Sequence, residues 1–340
     1  MTTQIVYVLV SSDKDLYLEE LWASLFSLRI FHPEVIVKVL VDEPTAVRIR
    51  ERSKLAIMIT EVVVVDVPGH YSPKERSRQI KTTVRNIVDG PYLFIDTDTI
   101  ICKPLDGIDS MTTDIAAVPD GHLPLAEHAF RVSVYDTVQR VFGEDIHDSA
   151  YWFNSGVMYV ADNEHTRQFY RRWNENWTYS CFQRGNSQDQ PALVKTDKEM
   201  GYAIKRLPDI YNSQVALSLK YYADAAIVHF WHMDFLPDQS YSPFLGLSVY
   251  REIKEHGGIT PHVEEQIRHC KSTFASPTMP VGLVQIMFLF SPTGQAFSQL
   301  HQESRRWSKV LDWIAVKIIR CRRGLNKLRS IFYENVNTKN

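Results

Sequence analysis

Apolar residues in this chain recur in two rhythms, and their alternation sets out the architecture of its first hundred positions. Ile5 to Val10 is β-branched and almost wholly apolar, the signature of a strand buried on both faces. Ser11-Ser12-Asp13 breaks the run and is expected to cap the next helix, where Leu18, Leu21, Trp22, Leu25 and Leu28 fall at helical spacing. Val35 to Val41 is a second strand ending in Asp42-Glu43-Pro44, and Glu61 to Val67 a third ending in Pro68-Gly69. Arg76 to Val88 reads as a helix stopped by Asp89-Gly90-Pro91, and Tyr92 to Ile95 as a fourth strand. Strands alternating with helices predict an α/β fold with a doubly wound, largely parallel central sheet, whose ligands gather at the carboxyl ends of the strands.

Beyond residue 100 the rhythm is mixed. Short strands are expected at Ile115–Val118, Gly156–Val160 and Ala226–Phe230, and a helix over Glu164–Trp177 with Phe169, Trp173 and Trp177 on one stripe. Residues 236–300 are rich in Pro, Gly and Ser and show no clear period. From Arg305 to Arg329 a helical pattern returns, with Trp307, Leu311, Ile314, Ile318, Cys321, Leu325 and Leu328 at spacings of three and four. This divides the chain into a main domain over 1–235, an irregular and helical extension over 236–300, and a basic amphipathic helix and tail over 301–340.

Composition narrows the function. The 38 basic residues against 40 acidic ones leave no excess positive charge for a nucleic-acid partner. Cys102, Cys181, Cys270 and Cys321 are far apart and form no CxxC pair, so neither a zinc site nor a disulfide framework is expected, and reduced thiols in a cytoplasmic protein are the plainer reading. Met1 to Val10 lacks the features of a secretory signal.

Candidate chemistry centres on Leu93-Phe94-Ile95-Asp96-Thr97-Asp98-Thr99. A strand that is apolar to its last residue and then presents two acids places carboxylates at the carboxyl edge of the sheet. Alternation turns Asp96 and Asp98 toward one side, and two such carboxylates repel unless a cation lies between them. Hard oxygen ligands suit Mn²⁺ or Mg²⁺ bridging to a diphosphate. The competing reading is a surface turn in which the aspartates cap their neighbours.

With these residues the chain resembles the glycosyltransferases of GT-A fold, particularly family 8 and related nucleotide-diphospho-sugar transferases, over roughly residues 4–235. The exit of the first strand, Val10-Ser11-Ser12-Asp13, looks like the family's uridine-contacting loop, and Lys81 stands where the family carries a basic residue that reaches the donor. Asn154-Ser155-Gly156 is similar to the segment lining the donor sugar, and Gln188-Asp189-Gln190 to the one beside the anomeric carbon. Leu207-Pro208-Asp209-Ile210-Tyr211-Asn212 matches a further family stretch, and Ile227-Val228-His229-Phe230 a strand ending in a metal-binding histidine.

The resemblance implies a GT-A type, Rossmann-like mixed or parallel sheet flanked by helices, with a C-terminal helical extension. It implies a UDP-sugar donor bound through Val10, Ser11, Asp13, Lys81, Asp96, Thr97, Asn154, Ser155 and Gly156, and Mn²⁺ or Mg²⁺ held by Asp96, Asp98 and His229. Catalysis falls to Asp189 and Gln190, with retention of configuration and a glycan or lipid-linked glycan as acceptor. His232 competes with His229 as the ligand, and Asp234 or Asp120 could serve an inverting relative as base. Read on their own, Asn154 and Gly156 form a turn, Asp189 and Gln190 begin a helix before Pro191, and His229 is a core histidine. After His229 the chain departs from family 8, because Phe230-Trp231-His232-Met233-Asp234-Phe235 lacks the expected lysine that holds the diphosphate.

The C-terminal helix carries Arg305, Lys309, Arg320, Arg323 and Lys327 beside Trp307 and Trp313, a pattern suited to an anionic membrane surface through residues 305–329. The alternative is a helix packed on the core with a solvated basic face. The expected location is cytoplasmic, peripheral on the inner face of the membrane. A sugar nucleotidyltransferase is the rival enzyme class, disfavoured by the lack of glycine in Ser11-Ser12-Asp13-Lys14-Asp15. A non-catalytic nucleotide-sugar or glycan binder is the third.

Overall fold

Alternate residues of the first strand feed two different cores. In β1 (Gln4–Leu9), Ile5, Tyr7 and Leu9 join the cluster beneath α1 (Tyr17–Phe31), while Val6 and Val8 join the cluster built from α4 (Pro73–Ile87), α6 (Glu164–Thr178) and the sheet's other face. The strand is apolar throughout because both faces are covered, as its sequence predicts.

The structure, a computed structural model, describes residues 1–128, 130–232, 242–271, 291–304, 306–318 and 320. Asp234, Arg305, Cys321, Arg323, Leu325, Lys327 and Leu328 lie outside the described residues. Two compact units divide the chain, Met1–Met279 and Pro280–Asn340.

In the first unit, β2 (Val37–Val41), β3 (Glu61–Val64) and β4 (Tyr92–Ile95) join β1 in parallel, with α2 (Glu43–Arg50) and α3 (Ser53–Ala56) between β2 and β3. Then follow β5 (Thr99–Ile101), β6 (Ile115–Pro119), α5 (Arg131–Phe142) and β7 (Phe153–Val160). After α6 come α7 (Gln190–Glu199), β8 (Ile204–Arg206), β9 (Ser213–Gln214) and β10 (Ile227–His229). The main sheet has the order β3-β2-β1-β4-β7-β6-β8, and a small sheet the order β5-β10-β9. The expected α/β class, a mixed central sheet flanked by helices, is what the chain adopts.

Two antiparallel pairings position the site. β7 runs against β4, with Ile95 opposite Val157, so the beginning of β7 meets the end of β4. β10 runs against β5, with His229 opposite Thr99, which brings the end of β10 to the strand that follows Asp98. Between β6 and β7 the register jumps at Ala117/Val118, whose partners are Met158 and Asn154. The irregularity leaves Ser155, Gly156 and Val157 without a partner in β6, beside the bend that carries the aspartates, and such irregularities re-aim side chains.

Local signals explain the helices. α4 starts with a capping box, Ser72 to Glu75, and Pro73 in its first turn. α6 buries Phe169, Trp173 and Trp177 completely, and truncating such an aromatic costs about 3–5 kcal/mol. Ser11 to Asp13 do not cap α1, which starts four residues further on without a side-chain cap. Instead Ser11 Oγ donates to Asp15 Oδ1 at 2.7 Å and the Ser12 amide to Asp15 Oδ2 at 2.8 Å, closing the turn on itself.

The Pro- and Gly-rich stretch holds two short helices, α8 (Ser248–His256) and α9 (Pro261–Arg268), with Thr260 capping α9. Both contribute to the core under α1. In the second unit, α10 (Pro292–Glu303) is followed by a helical run over 306–318. Among the described residues no helix is long and apolar enough to cross a membrane.

Candidate functional site

At the carboxyl edge of β1 and β4 opens a cavity of about 590 Å³. Its floor carries Val10, Asp96, Thr97 and Asp98. One wall is a face of α4 with Lys74, Arg78 and Lys81, and the other holds Tyr17, Glu20 and His232.

Asp96 and Asp98 sit on the bend between β4 and β5. Ligand-capable atoms of Asp96, Asp98 and His229 all lie within 4.8 Å of one another. His229 Nε2 is 3.1 Å from Asp98 Oδ1. Lys81 Nζ donates to Asp96 Oδ1 at 3.0 Å and stands 4.8 Å over the Phe94 ring. Two carboxylates and an imidazole are a donor set that accepts Mn²⁺ readily and Mg²⁺ through the oxygens, so the residues present fit the expected ion.

The imidazole is oriented from behind. The Gly156 amide can only donate, and it does so to Asn154 Oδ1 at 2.9 Å. That oxygen also accepts Asn212 Nδ2 at 3.0 Å, which turns Asn212 Oδ1 toward His229 Nδ1, 3.0 Å away. Asn154 Nδ2 in turn donates to Asp120 Oδ1 at 2.8 Å. The chain of amides therefore makes Nδ1 of His229 the donor and points Nε2 at Asp98, the outer-sphere device common behind metal-ligating histidines.

Electrostatics agree with this layout. Burial works against the Asp98 carboxylate, but the His229 imidazolium and the backbone N–H of His232 hold its pKa down at about 2. Being below the ordinary 3.8, this shift stabilises the fold above about pH 4, and the contribution is lost as the pH falls through about 2. Burial would depress His229, yet the charges of Asp98 and Asp96 raise it. The proton on Nε2 thus sits where a metal would compete for the same lone pair.

The predicted residues divide by position. Val10, Lys81, Asp96 and Thr97 line the cavity with Asp98, and His229 joins the two aspartates. Asn154, Ser155 and Gly156 are buried behind them, and the Gly156 carbonyl accepts from the Asp96 amide at 2.7 Å. Asp189 is the residue before α7, as its position before Pro191 suggests, and its carboxylate is fully engaged. Arg78 Nε lies 3.1 Å from Oδ1, Ser155 Oγ donates to Oδ2 at 2.7 Å, and Lys81 Nζ is 3.6 Å from Oδ2. Burial opposes that charge, but Arg78 and Lys81 hold it well below the usual carboxylate range. Gln190 Nε2 donates to the Phe153 carbonyl at 3.1 Å and reaches Asp120 at 3.4 Å. Ser11 and Asp13 lie off the cavity, Ser11 held by Asp15 and Asp13 paired with Arg48. His232 donates its backbone N–H to Asp98 Oδ2 at 2.9 Å while its ring pairs with Glu20.

Arg78, Glu20 and Tyr17 are among the cavity residues that the sequence did not single out. Arg78 lies one turn before Lys81 on the same helix face, a spacing that could have flagged it. Glu20 is nearly fully buried, and burial with the nearby Asp98 charge pushes it up to about 7 against the pull of His232 and Thr97. The Tyr17 ring packs on His232 at 4.6 Å between centroids.

No family model matches the chain, and no curated protein matches it by sequence. Solved structures of similar course include mouse xyloside xylosyltransferase 1 in its apo form, at 11% identity over 70% of this chain and 100% of that one, with a TM-score of 0.46. The galactosyltransferase LgtC, in complex with donor and acceptor sugar analogues, is 15% identical over 78% of this chain and 100% of its own, with a TM-score of 0.49. The glycosyltransferase GlyE of Streptococcus pneumoniae TIGR4 is 15% identical over 82% of this chain and 67% of that one, with a TM-score of 0.47. At such identities and scores these likenesses assign neither an activity nor a residue to this chain.

Proposed function

We propose that this chain is a metal-dependent glycosyltransferase of GT-A fold that moves a hexosyl unit from a UDP-sugar to a glycan or lipid-linked glycan acceptor, with retention of configuration. The observation that supports this reading most directly is the meeting, at one cavity, of Asp96 and Asp98, with His229 buried beside them, and the Lys74, Arg78 and Lys81 face of α4. A metal-bound nucleoside diphosphate suits both, its ion meeting the carboxylates and its phosphates the basic face of α4.

When bound by Asp96, Asp98 and His229, Mn²⁺ or Mg²⁺ supplies Lewis-acid assistance to the departing diphosphate. Arg78 and Lys81 stand where they neutralise phosphate charge, which answers the missing family lysine after His229. Asp189 serves by holding Arg78, Lys81 and Ser155 in place, and Gln190, the next residue, is the side chain we assign to the anomeric centre. The turn after β1 also weakens the nucleotidyltransferase alternative, because the Asp15 carboxylate occupies the position a phosphate loop would need.

A screen of nucleotide-sugars for Mn²⁺-dependent hydrolysis tests the reading. UDP release from one or two UDP-hexoses is expected. Pyrophosphate exchange with a sugar 1-phosphate would instead establish the nucleotidyltransferase, and binding without turnover under any donor and acceptor would establish the binder.

Metal titration separates the two histidines. His229→Ala should raise the Mn²⁺ concentration needed for half-maximal UDP binding by about tenfold or more, a scale typical of ligand-sphere losses. His232→Ala keeps the backbone N–H that holds Asp98 and should change it far less. The opposite order would transfer the ligand role to His232.

We also propose peripheral association with an anionic membrane through the helical run 306–318 and the residues after it. Trp307, Trp313 and Ile318 are 56%, 64% and 62% exposed, and each basic residue near such a surface contributes on the order of 1 kcal/mol. Truncation after Ser304 should release the protein from anionic vesicles and leave donor hydrolysis intact. Full-length protein that ignores such vesicles at low salt would overturn the proposal.

A further inference from the structure

Cys102 and Cys270 stand 168 residues apart in the chain, yet their sulfurs lie 3.4 Å apart. Cys102 leaves β5, the strand that begins directly after Asp98, and Cys270 ends the turn after α9. One short segment pins both backbones. The Cys102 amide donates to the Ala226 carbonyl at 2.7 Å, Tyr222 Oη donates to the Cys270 carbonyl at 2.7 Å, and Lys271 Nζ donates to the Ala225 carbonyl at 2.6 Å. The two thiols therefore face each other across a rigid frame.

We propose that Cys102 and Cys270 are a reversible redox pair, which a low-molecular-weight disulfide such as oxidised glutathione converts to a cystine tying β5 to α9. Cys102 is half-buried, whereas Cys270 is only 3% exposed. The hydrogen bond the two sulfurs share lowers the Cys102 thiol, with help from Lys271 and Lys103, and together with burial raises the Cys270 thiol. Cys102 is thus the attacking sulfur. Its thiolate bonds to one sulfur of the small disulfide, and the other sulfur leaves as a thiolate that takes up a proton. Cys270 then loses its proton and attacks the Cys102 sulfur of the mixed disulfide, which expels the second small thiol. Two protein thiols are oxidised, and one small disulfide is reduced to two thiols. A cystine bond is about 2.05 Å long, so the sulfurs close by roughly 1.4 Å through side-chain rotation.

Cys181 provides an internal control, since its sulfur lies against Glu75 at 3.8 Å and burial pushes its thiol up to about 11. The full chain carrying Cys321→Ser, fully reduced, is incubated with oxidised glutathione and digested without reduction. The expected result is one intramolecular cross-link, joining the Cys102 and Cys270 peptides, with Cys181 still free. The thermal midpoint should rise by about 5 °C or more, since the link closes a long loop in the unfolded chain, and should fall back on reduction. Cys181→Ser should leave both results unchanged. Cys102→Ser should abolish both, and Cys270→Ser should stop at a glutathione adduct on Cys102. A lasting glutathione adduct on Cys102 in the parent would overturn the proposal. So would a cross-link through Cys181, or no reaction while the folded fraction stays constant.

Discussion

Replacing Asp98 with asparagine should lower sugar transfer by at least about 10³-fold while the protein stays folded. The substitution keeps the shape of the side chain and removes its charge. Asp98 is the residue on which the site converges, since Oδ1 meets His229 Nε2 at 3.1 Å and Oδ2 accepts the His232 amide at 2.9 Å. Loss of a charge that neutralises and holds the ion at the leaving group amounts to several kcal/mol, and each 1.4 kcal/mol is about tenfold in rate. Transfer and Mn²⁺-dependent UDP binding should fall together, with circular dichroism unchanged. Turnover within tenfold of the parent at saturating Mn²⁺ would show that the chemistry lies elsewhere.

Gly156→Ala should cost about 10²-fold in transfer although the new methyl touches no substrate. An added Cβ would lie 2.5 Å from His229 Cε1, 2.8 Å from Asn154 Oδ1 and 2.9 Å from Asp96 Oδ2. No real Cβ tolerates such contacts, so the imidazole, the amide chain behind it and one carboxylate must all shift. A displacement of about 1 Å at a reacting centre costs rates of this order. Mn²⁺ affinity should fall with the rate, and the thermal midpoint by only a few degrees, because the colliding atoms are side chains at the sheet edge. Unchanged kinetics in a normally expressed variant would sink the role given to this cluster.

Much of the fold was legible because burial on both sides leaves strands with unbroken apolar runs and because α6 carries a clean aromatic stripe, while α4 begins three residues before the expected Arg76, at the capping box of Ser72 and Glu75. The direction of β7 was not legible. Val157 to Val160 is apolar whichever way it runs, so pattern alone does not tell an antiparallel neighbour from a parallel one. The helices over 248–268 were hidden for a different reason, since each is about two turns long and its Gly, Pro and Thr residues are caps and stops that imitate a loop.

The aspartates could be proposed from the chain because they follow an apolar strand with a predictable face, whereas Lys81 and His229 entered through the resemblance. Glu20 could not, because a glutamate inside an amphipathic helix reads as a solvated position, and only the His232 ring and the Thr97 hydroxyl that meet it in the fold justify its burial. Asn212 entered through a resemblance alone. Its task, passing the direction of one amide to the imidazole, depends on Asn154 and Gly156 standing beside it, and no local pattern encodes that.

The antiparallel return of β10 carries a consequence for how the molecule acquires its activity. His232 meets Asp98 across 134 residues of chain and Glu20 across 212. Contacts of such sequence separation are slow to form, because the loop-closure entropy is lost before they contribute any stability. On a ribosome, β1 to β4 can be made and assembled well before His229 has left the exit tunnel. During that interval the bend holds two acidic groups with Lys81 as their counter-ion, and the group of Asp96, Asp98 and His229 is complete only with the last strand of the small sheet.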